Sequence, residues 1–161
     1  MAVSSVVGKS VNRTSEIQSI WGYFLIYGFA VLRPLTKKSS TFLKRPVDEL
    51  LQRTEGLAVS VLCLPEIVSV LCRRRRERVL SDSQYRAAKG ALESDLADAA
   101  IIAMTDEVLL GGIDLLESHS LRASDAIQIS SALVWGADVF ASADARQCTA
   151  AKAAGLDVIR L

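Results

Sequence analysis

Three carboxylates in this chain stand at helix openings, and their placement suggests chemistry. Glu66 follows Pro65 in the first turn of one predicted helix, Asp125 follows Ser124 at the start of another, and Asp144 directly precedes a third beginning at Ala145. Each has an ordinary explanation when taken alone. An acid at a helix N-terminus complements the positive end of the dipole, worth roughly 0.3–1 kcal/mol, or caps a free N–H. Together they offer more. In a parallel sheet the C-terminal ends of the strands share one edge, so the loops leaving Leu62 and Ser142 open onto one crevice and carry Glu66 and Asp144 to it. The pattern does not place Asp125, whose helix has no strand immediately before it. Converging carboxylates repel unless protons or a cation compensate them, and Mg2+ or Mn2+ takes oxygen ligands. A cation so held suits displacement at a phosphodiester.

Other chemistries are excluded. His119 is the only histidine, so neither a multi-histidine metal site nor two-histidine ribonuclease chemistry is available. Cys63, Cys72 and Cys148 are odd in number and show no Cys-x-x-Cys spacing, which predicts buried thiols in a reducing cytoplasm rather than disulfides or zinc. No nucleophile elbow, phosphate-binding glycine loop or dinucleotide fingerprint occurs. Ser124, Ser142 and Thr105 are accounted for by helix caps or turns.

Net charge is +1, but it is unevenly spread: residues 1–92 carry 15 Lys/Arg against 7 Asp/Glu, and residues 93–161 carry 4 against 11. Such a split suits a protein that holds a cation at one place and phosphate at another, and solvated helix faces produce the same blocks. The run Arg73-Arg-Arg-Arg76, followed by Glu77 and Arg78, is open to both readings: a grip on RNA or an acidic segment, or charges complementing a helix C-terminus. Arg146, two residues beyond Asp144, falls on the crevice edge and is the candidate for contacting substrate phosphate.

The elements that must position these groups alternate. Tyr23–Tyr27, Leu57–Leu62, Ala100–Met104, Asp138–Ser142 and Asp157–Arg160 read as strands. Helices are predicted over Pro46–Arg53, from Pro65, over Ser81–Ala99, from Thr105 towards Ser118, from Asp125 to a stop at Gly136, and over Ala145–Ala154. Residues 1–19 are polar and form an N-terminal extension, with one domain over 20–161. The charge-free segment Ile20–Leu32 is too short to span a bilayer, which takes about 20 apolar residues, and is expected to be a buried strand. Alternation of strands and helices predicts an α/β fold: a three-layer α/β/α sandwich with a central parallel sheet.

Leu64-Pro-Glu-Ile-Val-Ser69, Leu121-Arg-Ala-Ser-Asp-Ala126 and Ser142-Ala-Asp-Ala-Arg146 resemble, in order and spacing, three motifs of the PIN domain family, the fold of VapC-type toxins. The resemblance covers residues 57–161 well. It implies a Mg2+- or Mn2+-dependent endoribonuclease with Glu66, Asp125 and Asp144 as catalytic metal ligands. It also implies a homodimer and a small antitoxin partner, which agrees with the reducing cytoplasm read from the cysteines and with the absence of membrane targeting expected of the short apolar segment. The sequence departs from the family at the first acid, where Tyr27-Gly-Phe-Ala-Val-Leu32 aligns and places tyrosine where the family has aspartate. A phenol with a reference pKa of about 10 is neutral and a poor magnesium ligand. The alternative implied is a degenerate PIN domain that binds partners without turnover.

Overall fold

A computed structural model describes residues 29–34 and 54–160. Five strands, β1 (Phe29–Pro34), β2 (Thr54–Ser60), β3 (Ala100–Ile102), β4 (Val139–Ser142) and β5 (Asp157–Arg160), form one sheet in the order β3-β2-β1-β4-β5. Five helices accompany them: α1 (Cys63–Arg76), α2 (Asp82–Asp95), α3 (Asp106–Ser118), α4 (Ala123–Trp135) and α5 (Ala145–Ala153). The α/β class expected from alternation is the class observed. The predicted strand at Tyr23–Tyr27, including Tyr27, and the predicted helix at Pro46–Arg53 lie outside the described residues.

The sheet is mixed, which corrects the expectation of a parallel one. β2 pairs β3 in parallel and β4 pairs β5 in parallel, but the central strand β1 runs antiparallel to both β2 and β4. A parallel β1–β2 pair requires a crossover segment between the strands, usually a helix. Residues 33–46 contain two prolines and a basic run, a weak signal for one. The ladder also shifts register between Arg33 and Pro34, where a proline has no N–H to donate. The register sets Ser60 beside Ile102, Ser142 beside Arg160, and the first residue of β1, Phe29, beside Ser142. One edge therefore collects the ends of four strands and the start of the fifth, and α1 and α5 leave from it.

Successive residues of a strand point to opposite faces, and β2 and β4 divide accordingly. Val59 and Ala141 join Cys63, Ile67 and Leu71 of α1 and Ala88, Leu92 and Leu96 on and just after α2 in one apolar cluster. Ala58 and Phe140 join Leu115 of α3, Ala126, Ile129 and Ala132 of α4, and Ala150 and Ala151 of α5 in the other. The buried face of α4 is broad: Ala126 to Ala132 are all buried, while Leu133 is exposed. Among the cysteines only Cys63 is fully buried; Cys72 and Cys148 are half-buried.

Helix ends follow local chemistry. Ser81 caps α2 through the Gln84 N–H, with the Gln84 side chain returning to the Ser81 N–H as a capping box. Thr105 accepts from the Val108 N–H at the start of α3, and His119 stands just past its end. Among the described residues no helix is long and apolar enough to cross a membrane.

The contact between α3 and α4 depends on Gly111 and Gly112. A Cβ at Gly112 would stand 2.7 Å from the Ile127 Cδ1, and one at Gly111 would stand 2.6 Å from the Ser130 Oγ. Gly90 of α2 has nothing within 4 Å. Gly112→Leu is therefore expected to destabilise the protein by roughly 1–3 kcal/mol through overpacking. Gly90→Ala should stabilise it by about 0.5–1 kcal/mol through helix propensity alone. Urea melts of the two variants check the pair, and equal stability of Gly112→Leu and the parent would refute the close approach.

Candidate active site

The acid edge is built from α1, α4 and α5. Glu66 is the fourth residue of α1 and half-buried, with its own N–H bonded to the Leu62 carbonyl at 3.1 Å. Burial pushes its carboxyl above the usual glutamate range. Hydrogen bonds from Ser124 and Gln128 oppose that shift, and the facing charge of Asp125 adds to it. Sequence pattern left Asp125 unplaced, but the structure puts it opposite Glu66, at the third position of α4 rather than at its opening. The Asp125 Oδ2 accepts the Arg122 N–H at 3.3 Å, and its Oδ1 accepts from the Gln147 amide at 2.8 Å.

Two glutamines that sequence reasoning passed over connect the acids. Gln128 is 2% exposed and Gln147 5% exposed. The Gln128 Nε2 donates to the Glu66 Oε2 at 2.5 Å. The Gln147 Nε2 donates both to Asp125 and to the Gln128 Oε1, each at 2.8 Å, and the Gln147 Oε1 accepts from the Ser142 hydroxyl at 2.6 Å. Every polar atom of the two amides is thereby paired, as burial requires. A signal was present: both aspartates carry a glutamine three residues on, Asp125 with Gln128 and Asp144 with Gln147, which is one helical turn. Ser124 and Ser142, read as cap or turn residues, belong to the same network through Glu66 and Gln147.

Asp144 is near this network but differently occupied. Its N–H donates to the Ser142 Oγ at 3.1 Å, and its Oδ1 caps α5 by accepting the Arg146 N–H at 2.7 Å. The Arg146 Nη2 stands 3.0 Å from the Oδ2, and this guanidinium holds the Asp144 carboxyl below its ordinary range. The ordinary role of Asp144 as a cap is therefore realised, and Arg146, expected to be open for phosphate, is paired with it.

Among the described residues no group of three or more His, Cys, Asp or Glu is gathered closely enough to hold a metal ion. The three predicted acids are brought together only in part. Glu66 and Asp125 are neighbours linked through Gln128 and Gln147, with carboxylate oxygens of the kind Mg2+ or Mn2+ takes. Magnesium is commonly held by one or two carboxylates, retaining its waters and substrate phosphates as further ligands, so the donor chemistry fits.

A sequence model described as the PIN domain matches residues 32–153, a span that takes in all three acids and both glutamines and begins after Tyr27. No curated protein matches the chain.

The raised Glu66 carboxyl has a pH consequence. Stability that a group gains from a raised folded pKa is complete below its unfolded value and is lost as pH rises through the folded value. Glu66 therefore weakens the fold as pH climbs past the usual glutamate range. Glu66→Gln should melt progressively higher than the parent between acid and neutral pH, and thermal melts across that range check it. A deficit in the variant that is constant with pH would contradict the assignment. Asp144 behaves in the opposite sense: its stabilisation is present at neutral pH and lost as pH falls through its depressed value.

Proposed function

The chain belongs to the PIN domain family, whose function is of the nuclease type, and on that premise we propose that it is a Mg2+- or Mn2+-dependent endoribonuclease, the toxin of a toxin–antitoxin pair. The single observation carrying the reading is the Glu66–Asp125 pair. These are two half-buried carboxylates linked through Gln128 and Gln147, near enough that the Asp125 charge adds to the burial that pushes the Glu66 carboxyl up, and a cation between them would offset that cost. The chemistry supplied by such a cation when bound is Lewis-acid stabilisation of charge at a scissile phosphodiester. Gln128 and Gln147 fix the orientation of the two carboxylates. Asp144 joins them as a third ligand by releasing Arg146, whose exposed guanidinium then turns to the substrate phosphate.

The domain we assign to this activity spans residues 20–161, after an extension over 1–19. Its architecture is a three-layer α/β/α sandwich, a reading supported by the two apolar clusters that share β2 and β4. We place it in the cytoplasm as a homodimer with a small antitoxin protein as its partner. Self-association is supported by the run of exposed apolar side chains at Leu109, Leu110, Ile113 and Leu116 along α3.

A second reading, a degenerate PIN domain acting as a binding module, is favoured by one observation. The Asp144 carboxylate is held by Arg146 and by the cap of α5, leaving a pair where three acids are expected. Tyr27 in place of a metal-binding aspartate points the same way.

Cleavage of RNA by the purified protein with Mg2+ or Mn2+, run beside Asp125→Asn and Tyr27→Asp, separates the readings. The enzyme reading expects cleavage by the parent, lost by at least about a hundredfold in Asp125→Asn because the cation loses a ligand. Cleavage by Tyr27→Asp alone would establish the degenerate reading. Saturable Mn2+ binding that survives Asp125→Asn would sink the assigned site.

A further inference from the structure

The three helices α1, α4 and α5 end in the same way. In each, the residue two past the closing turn bonds back five positions, and the one before it bonds back three: Val79 N–H to the Arg74 carbonyl and Arg78 to Arg75, Ala137 to Ala132 and Gly136 to Leu133, Leu156 to Ala151 and Gly155 to Lys152. This closure puts one residue in the left-handed region. At α4 and α5 that residue is glycine, Gly136 with φ 70° and Gly155 with φ 95°. At α1 it is Arg78, with φ 59°, the one non-glycine residue of positive φ among those described. A side chain there is disfavoured by contact of its Cβ with the backbone, and Arg78 is exposed, so no burial compensates for it.

The residues before it make the choice more unusual. Arg73 to Arg76 crowd four cations into the last turn of α1, more than the helix dipole accounts for. Arg74 approaches Glu77 at 3.5 Å, and Arg75 lies over the Tyr85 ring with its Nη1 3.8 Å from Asp82. Arg76 and Arg78 are exposed and have no ion-pair partner among the described residues. All five cations are arginine, whose planar fork matches a phosphate in two hydrogen bonds where lysine offers a point charge. Glu66 stands ten residues back on the same helix, about 15 Å along its axis.

We propose that Arg76 and Arg78, flanked by Arg73 and Arg74, form an exosite for the phosphate backbone of single-stranded RNA, at the opposite end of α1 from the acid pair. The identity of the ligand rests on the nuclease reading; the site itself uses none of the residues assigned to cleavage. A strand gripped there lies along α1 towards Glu66, and the left-handed Arg78 is retained because it adds a second fork beside Arg76.

The test is fluorescence anisotropy of a labelled oligouridylate with EDTA present, so that neither cleavage nor a divalent ion contributes. Arg76→Gln/Arg78→Gln should weaken binding roughly tenfold at low salt and reduce the slope of log affinity against log salt by about 1.4, the value for two single-strand phosphate contacts. Arg78→Gly should weaken binding while melting at or above the parent temperature, a combination that a purely structural arginine would not produce. Lys152→Gln, an arginine-free control in the last turn of α5, should change little. The exosite is overturned if the parent does not bind, if the double variant keeps the parent affinity and slope, or if its loss only equals that of Lys152→Gln. Loss of cleavage with binding in EDTA intact would instead count against the acid pair and leave the exosite standing.

Discussion

Two half-buried carboxylates, Glu66 and Asp125, are tied together by one series of buried amide hydrogen bonds, and the placement of three helices depends on it. Glu66 and Asp125 come from helices that follow different parts of the chain, and neither would choose the other's company in water. Their proximity is maintained because the surrounding polar atoms are paired: Gln128 donates to Glu66, Gln147 donates to Asp125 and to Gln128, and Ser142 closes the series. A buried amide left without a partner costs about 1–3 kcal/mol, so each member of this series fixes the next. The helices follow from it. α4 turns the buried face that carries Gln128 towards α1, and α5 starts where Asp144 and Gln147 can reach back to Ser142.

What could be read from the sequence follows the range of the interactions. Thr105 and Gly136 act within one turn of their own helices, and their predicted roles as cap and stop match the structure. β5 was legible to the residue, and the bounds of β2, β3, β4 and the five helices to within a few positions, whereas β1 begins two residues beyond the stretch read as the first strand. The direction of β1 was not legible, because strand direction is decided by partners far along the chain and the stretch after β1 carries little periodicity. Asp125 and the two glutamines were missed or unplaced for the same reason. Gln128 sits among Ala126, Ile127 and Ile129, where a polar residue reads as a blemish in an apolar face until its partner on α1, 62 residues earlier in the chain, is in view.

The charge asymmetry of the chain becomes spatial along α1. Its first turn carries the acid that faces Asp125, and its last turn carries the arginines. A helix dipole favours this order, with negative charge at the start and positive charge at the end, so the separation is stabilising in itself. The same helix is anchored by Cys63, Ile67 and Leu71 against β2, which leaves both charged ends at the surface.

The antiparallel β1 has a mechanical consequence. β2 and β4 are not neighbours, so the sheet consists of two parallel pairs, β2 with β3 and β4 with β5, joined through one strand. If β1 peels away by local opening, the backbone hydrogen bonds joining the pairs are lost, and each pair acquires an unprotected edge of the kind that recruits other chains. Glu66 follows one pair and Asp144 the other. The strand that contributes no acid therefore carries the ladder hydrogen bonds between the two pairs, while the apolar clusters and the Gln128–Glu66 contact tie the same pairs together through the helices.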